Sequence, residues 1–183
     1  MNLKAVIREF PDFPDKGVLF RDISPLLKRI DALNYIVDLF YEHFKDRGIN
    51  IIAGIESRGF IVACALAMRF RCGMVMIRKQ GKLPGRTRSI DYTIEYGKAT
   101  MEEYGKATME IQEDAVSAGD RVLIADDLIA TGGTAVAAAR LVEGLGAKVA
   151  GFAFIVELAR LRGRELLKGY DVYSLVVYND DDE

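Results

Sequence analysis

The chain has 183 residues, half of them hydrophobic and 28% charged, the composition of a globular protein with one substantial core rather than of a disordered chain. A formal net charge of -2 excludes a general nucleic-acid binder, so any phosphate must be held by local geometry and not by a basic surface. No apolar run reaches the ~18 residues of a membrane helix, and Met1-Asn2-Leu3-Lys4 does not open an apolar signal region; a cytoplasmic protein with no membrane and no nucleic-acid partner is expected.

In chain order, residues 1–28 read as a peripheral element. A short amphipathic helix is expected before Pro11, and turns over 10–17, where Pro11, Pro14 and Gly17 fall. Ser24-Pro25 has the form of an N-cap with proline at the first helical position. A helix over 31–47 puts Leu33, Ile36, Val37, Phe40 and Phe44 on one stripe, and Gly48 suits its end. His43 stands in no cluster and has no expected part in catalysis. Strand and helix then alternate: strand 51–55, an all-apolar and therefore buried helix 60–68, strand 75–77, strand 122–125, helix 134–145, strand 149–156, helix 160–167 and strand 172–177. Such alternation implies right-handed crossovers and an α/β fold with a mostly parallel sheet flanked by helices. Cys64 and Cys72 match no metal-site spacing and read as buried reduced thiols. The acidic end, 180–183, reads as solvated.

Residues 79–108 are polar, glycine-dotted and weakly periodic, and read as irregular. Within this stretch 95–102 read EYGKATME, and 103–110 read EYGKATME again. Two such units are too few and too short for a solenoid. A local tandem duplication is the plain reading, in a place where insertion costs little.

The strongest chemical signal is the run 122–134, VLIADDLIATGGT. A buried strand leads into Asp126 and Asp127, a short loop rich in glycine and threonine follows, and a helix begins. Ligands of open α/β sheets bind beyond the carboxyl ends of strands, and a helix N-terminus offers free N–H groups suited to phosphate. Two carboxylates beside a phosphate loop make sense if they accept hydrogen bonds from sugar hydroxyls, or hold Mg²⁺ directly or through water. The run therefore asks for a ribose phosphate. No lysine follows the glycines, which excludes an ATP-type loop. A second cluster, Glu56-Ser57-Arg58-Gly59-Phe60, also joins a strand end to a helix and suits pyrophosphate, although a capping serine with a solvated arginine explains it equally well in isolation. A third, 77–85, IRKQGKLPG, gathers three cations at a strand end, where a solvated edge is the other reading.

These motifs, in this order, resemble type I phosphoribosyltransferases over nearly the whole chain, and Lys82-Leu83-Pro84-Gly85 with 17–25, GVLFRDISP, resembles their adenine-specific branch. The resemblance implies one domain over 1–183, with a small N-terminal hood at 1–28 and a flexible catalytic loop at 79–110 that carries the repeat. It implies that Asp126 and Asp127 bind the ribose hydroxyls of phosphoribosyl pyrophosphate (PRPP). Ala130, Thr131, Gly132, Gly133 and Thr134 would cradle its 5′-phosphate. Ser57, Arg58, Gly59, Arg78 and Lys79 would meet the pyrophosphate, with a non-proline cis peptide in the 56–59 loop and Arg78 or Lys79 acting across a homodimer interface. Phe20 would stack on adenine, with Leu128 against the base and the backbone of Leu19 and Arg21 reading its 6-amino group and N1. The family carries Glu-Tyr-Gly-Lys once; here Glu95 and Glu103 both qualify as its proton-handling glutamate, and together with Arg58 they are the catalytic candidates. Mg²⁺ is the implied cofactor, held mainly by PRPP, with no direct protein ligand. The implied products are AMP and pyrophosphate. Against this stand a 6-oxopurine specificity and a PRPP-sensing nucleic-acid regulator; neither a well-placed lysine for the former nor a helix-turn-helix for the latter is present.

Overall fold

The computed structural model describes residues 1–95 and 104–179. Seven strands form one sheet in the order β5-β6-β4-β3-β7-β8-β9. The members are β3 (Ile51–Ile55), β4 (Gly73–Lys79), β5 (Thr87–Glu95), β6 (Tyr104–Gln112), β7 (Arg121–Ile129), β8 (Lys148–Leu158) and β9 (Val172–Tyr178). β4, β3, β7, β8 and β9 run parallel, while β6 is antiparallel to both β4 and β5. The expected α/β architecture is thus present, with an antiparallel hairpin on one edge.

The strands are apolar on both faces because helices cover both. Successive residues of β3 and β7 take opposite sides: Ile52, Leu123 and Ala125 pack with α2 (Ile30–Phe44) and α3 (Gly59–Phe70), whereas Ala53, Val122 and Ile124 pack with α4 (Gly133–Gly144). The stripe expected on α2 supplies Ile36, Val37, Phe40 and Phe44 to the first of these cores, with Leu33 partly buried, and Gly48 closes the helical segment at φ 65°. His43 has its Nε2 3.0 Å from Asp171 Oδ1 and its ring stacked on Tyr173.

Several expectations are corrected. The N-terminal helix is a three-residue 3-10 turn, Lys4–Val6, followed by β1 (Arg8–Phe10), which pairs with β2 (Phe20–Asp22). Tertiary pairing overrides helical periodicity here: Phe10 stands opposite Phe20, and Arg8 Nε donates to Asp22 Oδ2 at 3.0 Å. Ser24 is the first residue of α1 (Ser24–Lys28) rather than its cap; its hydroxyl donates to Asp22 Oδ1 at 2.5 Å. α3 is apolar all round but not buried all round, with Ile61 45% and Met68 78% exposed. Cys64 is exposed too, against the expectation of burial, and Cys72 is half-buried; both are free thiols. The predicted helix 160–167 shrinks to a 3-10 turn (Ala159–Leu161) and α5 (Gly163–Leu166).

The largest correction concerns 79–108. Its two flanks form the hairpin β5–β6, paired from Thr87↔Gln112 to Glu95↔Tyr104. Met109 and Ile111 point into the core and are fully buried. The buried carboxylate of Glu110 accepts from the Lys82 and Leu83 N–H groups at 3.2 and 3.0 Å. The second copy of the repeat thus supplies β6 from Tyr104 to Glu110, while Glu103 lies outside the described residues.

Candidate active site

β3 and β7 are parallel neighbours, Gly54 opposite Ala125, so the loops leaving their carboxyl ends open side by side. β7 does not stop at the acids: it continues through Asp126 and Asp127 to Ile129, beyond the expected end at Ala125. Residues 130–132 then turn into α4, whose N-cap is Gly132 at φ 84°, a left-handed conformation that a β-carbon disfavours. On the other side the Glu56–Ser57 peptide is cis, as the resemblance implies, and Gly59 starts α3. Gly59 packs so closely on β7 that a β-carbon there would lie 2.8 Å from both Ala125 O and Asp126 Oδ1.

Between these loops lies a cleft of about 410 Å³. It is lined by Ser57, Arg58, Lys79, Asp126, Asp127, Leu128, Ala130, Thr131, Gly132 and Thr134 from the expected set. Glu56 and Ile129, from the same two motifs, join them, as do Tyr92, Met109, Ala135 and Phe154, which were not anticipated. Tyr92 and Met109 come from the hairpin read as irregular, and Phe154 stands opposite Asp126 on β8. Gly59 and Gly133 serve as the first residues of their helices and do not line the cleft.

Arg78 is not among the residues that line this cleft. Neighbouring residues on a strand face opposite ways; Lys79 takes the cleft. Arg78 donates through Nε and Nη2 to Glu56 at 3.2 and 3.1 Å, and through Nη1 to Lys82 O at 2.9 Å. These hydrogen bonds from Arg78, with one from the Lys79 N–H at 3.0 Å, hold the Glu56 carboxyl below the usual range.

The acid pair is packed tightly. Asp126 Oδ1 accepts the Asp127 N–H at 2.8 Å. Arg58 Nε lies 2.9 Å from Asp127 Oδ2, yet the contact is one of charge rather than an aligned hydrogen bond, and this buried oxygen has no hydrogen-bond donor among the described residues. Burial pushes both carboxyls up from the usual aspartate range, and Asp126 is pushed further by the neighbouring charge of Asp127. An aspartate with a raised folded-state pKa stabilises the fold when protonated, and that contribution is lost as pH rises through the folded value. Asp126→Asn, which cannot ionise, should therefore unfold at a higher temperature than the parent at pH 7. Below about pH 4, where unfolded aspartate is itself protonated, the difference should vanish. Thermal unfolding from pH 4 to 8 reads this directly; a difference independent of pH would contradict it.

The hood reaches the cleft through Arg58. Its guanidinium carbon lies 5.1 Å from the centroid of the half-buried Phe20 ring, which also meets Phe13 edge-on. Leu19 is half-buried, while the Arg21 side chain is buried, ion-paired with Glu9 and stacked 3.9 Å from the Tyr178 ring, so only its backbone is left to face a base. Glu95 closes β5 opposite Tyr104.

A parallel sheet whose strand ends present an acid pair, a glycine-turned helix start and an arginine loop defines a phosphoribosyl-transferring site, and the chain belongs to the phosphoribosyltransferase family: residues 26–181 match the phosphoribosyl transferase domain. Its relatives within that family include adenine phosphoribosyltransferases. The one from Nitrosopumilus maritimus is 56% identical over 178 residues, covering 97% of this chain and all of the relative. The crystal structure of the Thermoanaerobacter pseudethanolicus enzyme superposes with a TM-score of 0.89 at 45% identity, covering 96% of this chain and 98% of that one. The Saccharomyces cerevisiae enzyme, in complex with adenine and an imino-altritol bisphosphate, gives 0.84 at 39% identity, covering 94% and 96%.

Proposed function

We propose that this chain transfers the 5-phosphoribosyl group from PRPP to N9 of adenine, giving AMP and pyrophosphate. The observation that carries this reading is the convergence of Asp126, Asp127 and the 130–134 loop with the Ser57–Arg58 turn in one cleft; the yeast relative, which holds adenine, supports the choice of base. Asp126 and Asp127 accept from the ribose hydroxyls. The 5′-phosphate sits in residues 130–134 at the start of α4, where backbone N–H groups are free to donate. Ser57, Arg58 and Lys79 meet the pyrophosphate, while Arg78, neutralised by Glu56, steadies the turn that carries Ser57. Asp127 Oδ2, which has no hydrogen-bond donor among the described residues, fits a hydroxyl or a metal-bound water. Asp126 or Asp127 would hold, through water, a Mg²⁺ brought mainly by PRPP, which when bound would supply neutralising charge for the departing pyrophosphate. Positioning and charge stabilisation of an oxocarbenium-like transition state provide most of the catalysis. As the family resemblance implies, the working unit is a homodimer and the reaction is cytoplasmic purine salvage. Among the described residues no helix is long and apolar enough to cross a membrane.

Adenine stacks on Phe20 and leans on Leu128, and the Leu19 and Arg21 backbone reads its edge. A 6-oxopurine reverses donor and acceptor there and leaves groups unpaired. Incubation with Mg²⁺, PRPP and adenine, hypoxanthine or xanthine should consume PRPP and form nucleotide with adenine alone; turnover of a 6-oxopurine in its place would overturn the base assignment. Phe20→Ala should raise the adenine KM roughly tenfold, the usual scale of a lost base–aromatic stack, with the melting temperature little changed, since β2 lies outside the main sheet. A collapse in thermal stability with base affinity spared would make Phe20 a packing residue.

A further inference from the structure

Two backbones meet behind the phosphate loop with no side chain between them. A β-carbon on Gly132 would lie 2.5 Å from the carbonyl oxygen of Gly163 and 3.0 Å from its carbonyl carbon and Cα. From the opposite side, a β-carbon on Gly163 would lie 2.1 Å from Ala130 O, 2.7 Å from Gly132 N and 2.9 Å from the Thr131 carbonyl carbon. Gly163 is buried at the start of α5, on the turn that leaves the carboxyl end of β8. Its φ lies outside the left-handed region, where Gly132 and the preceding Arg162 both sit. The contact, and not the conformation, therefore demands glycine at 163.

We propose that Gly163 is a positioning residue for the transfer reaction: it seats the 159–163 turn against Ala130, Thr131 and Gly132 and so holds the loop in the shape that receives the 5′-phosphate. This rests on the reading of residues 130–134 as the 5′-phosphate site. A methyl group at 163 would force the two backbones apart by about 1 Å, a displacement that costs a positioned ligand heavily. Thr131 and the free N–H groups of α4 would move with the loop, whereas the hood and the 56–59 turn have no part in this contact.

Gly163→Ala should raise the KM for PRPP about ten- to a hundredfold while leaving the adenine KM within about twofold. Gly169→Ala is the matched control: Gly169 has φ 103° and open space where the β-carbon would stand, so the change strains the same segment without touching the loop. It should lower stability and leave PRPP use alone. An unchanged PRPP KM in Gly163→Ala, or an equal rise in both variants, would overturn the proposal. Amide exchange on the unmodified protein keeps the test open if Gly163→Ala does not fold. Adding ribose 5-phosphate should slow exchange both in 130–136 and in 159–165. Protection confined to 130–136 would overturn the interlock; no protection in 130–136 would instead overturn the assignment of phosphate to that loop.

Discussion

Asp127→Asn should lower kcat/KM for PRPP about ten- to a hundredfold, because a hydrogen bond to a charged group is worth roughly 1.5–3 kcal/mol. Asp127 is only 4% exposed, and its Oδ2 has Arg58 Nε at 2.9 Å. An amide in its place removes the charge that a ribose diol would use and leaves the Arg58 guanidinium without its counter-charge. Adenine affinity should stay within about twofold if, as proposed, its edge is read from the hood. Steady-state kinetics with each substrate varied in turn separates the two effects. Unchanged kinetics with PRPP would remove Asp127 from ribose binding.

The second large effect concerns the duplicated glutamate. Proton handling by a placed side chain contributes about 10²- to 10⁴-fold, so loss of the working copy should lower kcat by about a hundredfold or more. We assign that role to Glu103. It directly precedes Tyr104, the first residue of β6, and the same strand brings Met109 to the cleft wall. Glu103 lies eight residues before the wholly buried Ile111, whereas Glu95 lies thirteen residues after Lys82, and the shorter separation from an anchor limits more closely where a group can go. Glu103→Gln should then lose most of kcat and Glu95→Gln little. The reverse pattern would transfer the role to Glu95; no loss in either single variant or in the double variant would remove the loop glutamate from the mechanism.

Much of this was legible before any coordinates. β3, β7, α3 and α4 announce themselves because short apolar runs abut loops of glycine, serine, threonine and acid, and such loops in sequence at two strand ends point to phosphate and sugar where either alone could be a helix cap. What the sequence hid depends on pairing across space. Phe154 reaches the cleft only because β8 lies beside β7 in a register that sets it opposite Asp126. Tyr92 and Met109 reach it through a hairpin whose alternation is obscured by charged and small residues. The pairing of Arg78 with Glu56 and Lys82 was hidden too, because a cluster of cations read as a string has no faces, whereas a strand has two. Gly163 gave no signal at all: one glycine within an expected helix looks like a weak point, and its need comes from a backbone more than thirty residues away.

The hairpin also carries an ambiguity of its own making. Strands alternate with a period of two, and the duplicated unit has an even length, eight residues. Sliding β6 by one whole unit would therefore present the same faces, with Met101 in the seat of Met109 and Glu102 in that of Glu110. The degeneracy ends one residue past the repeat. Ile111 is wholly buried, and the slide would deliver Glu103 to its seat, a lone carboxylate in an apolar site at a cost of several kcal/mol. Ile111 is thus the residue that tells two identical segments apart, and it does so with nothing more than a side chain that water does not suit.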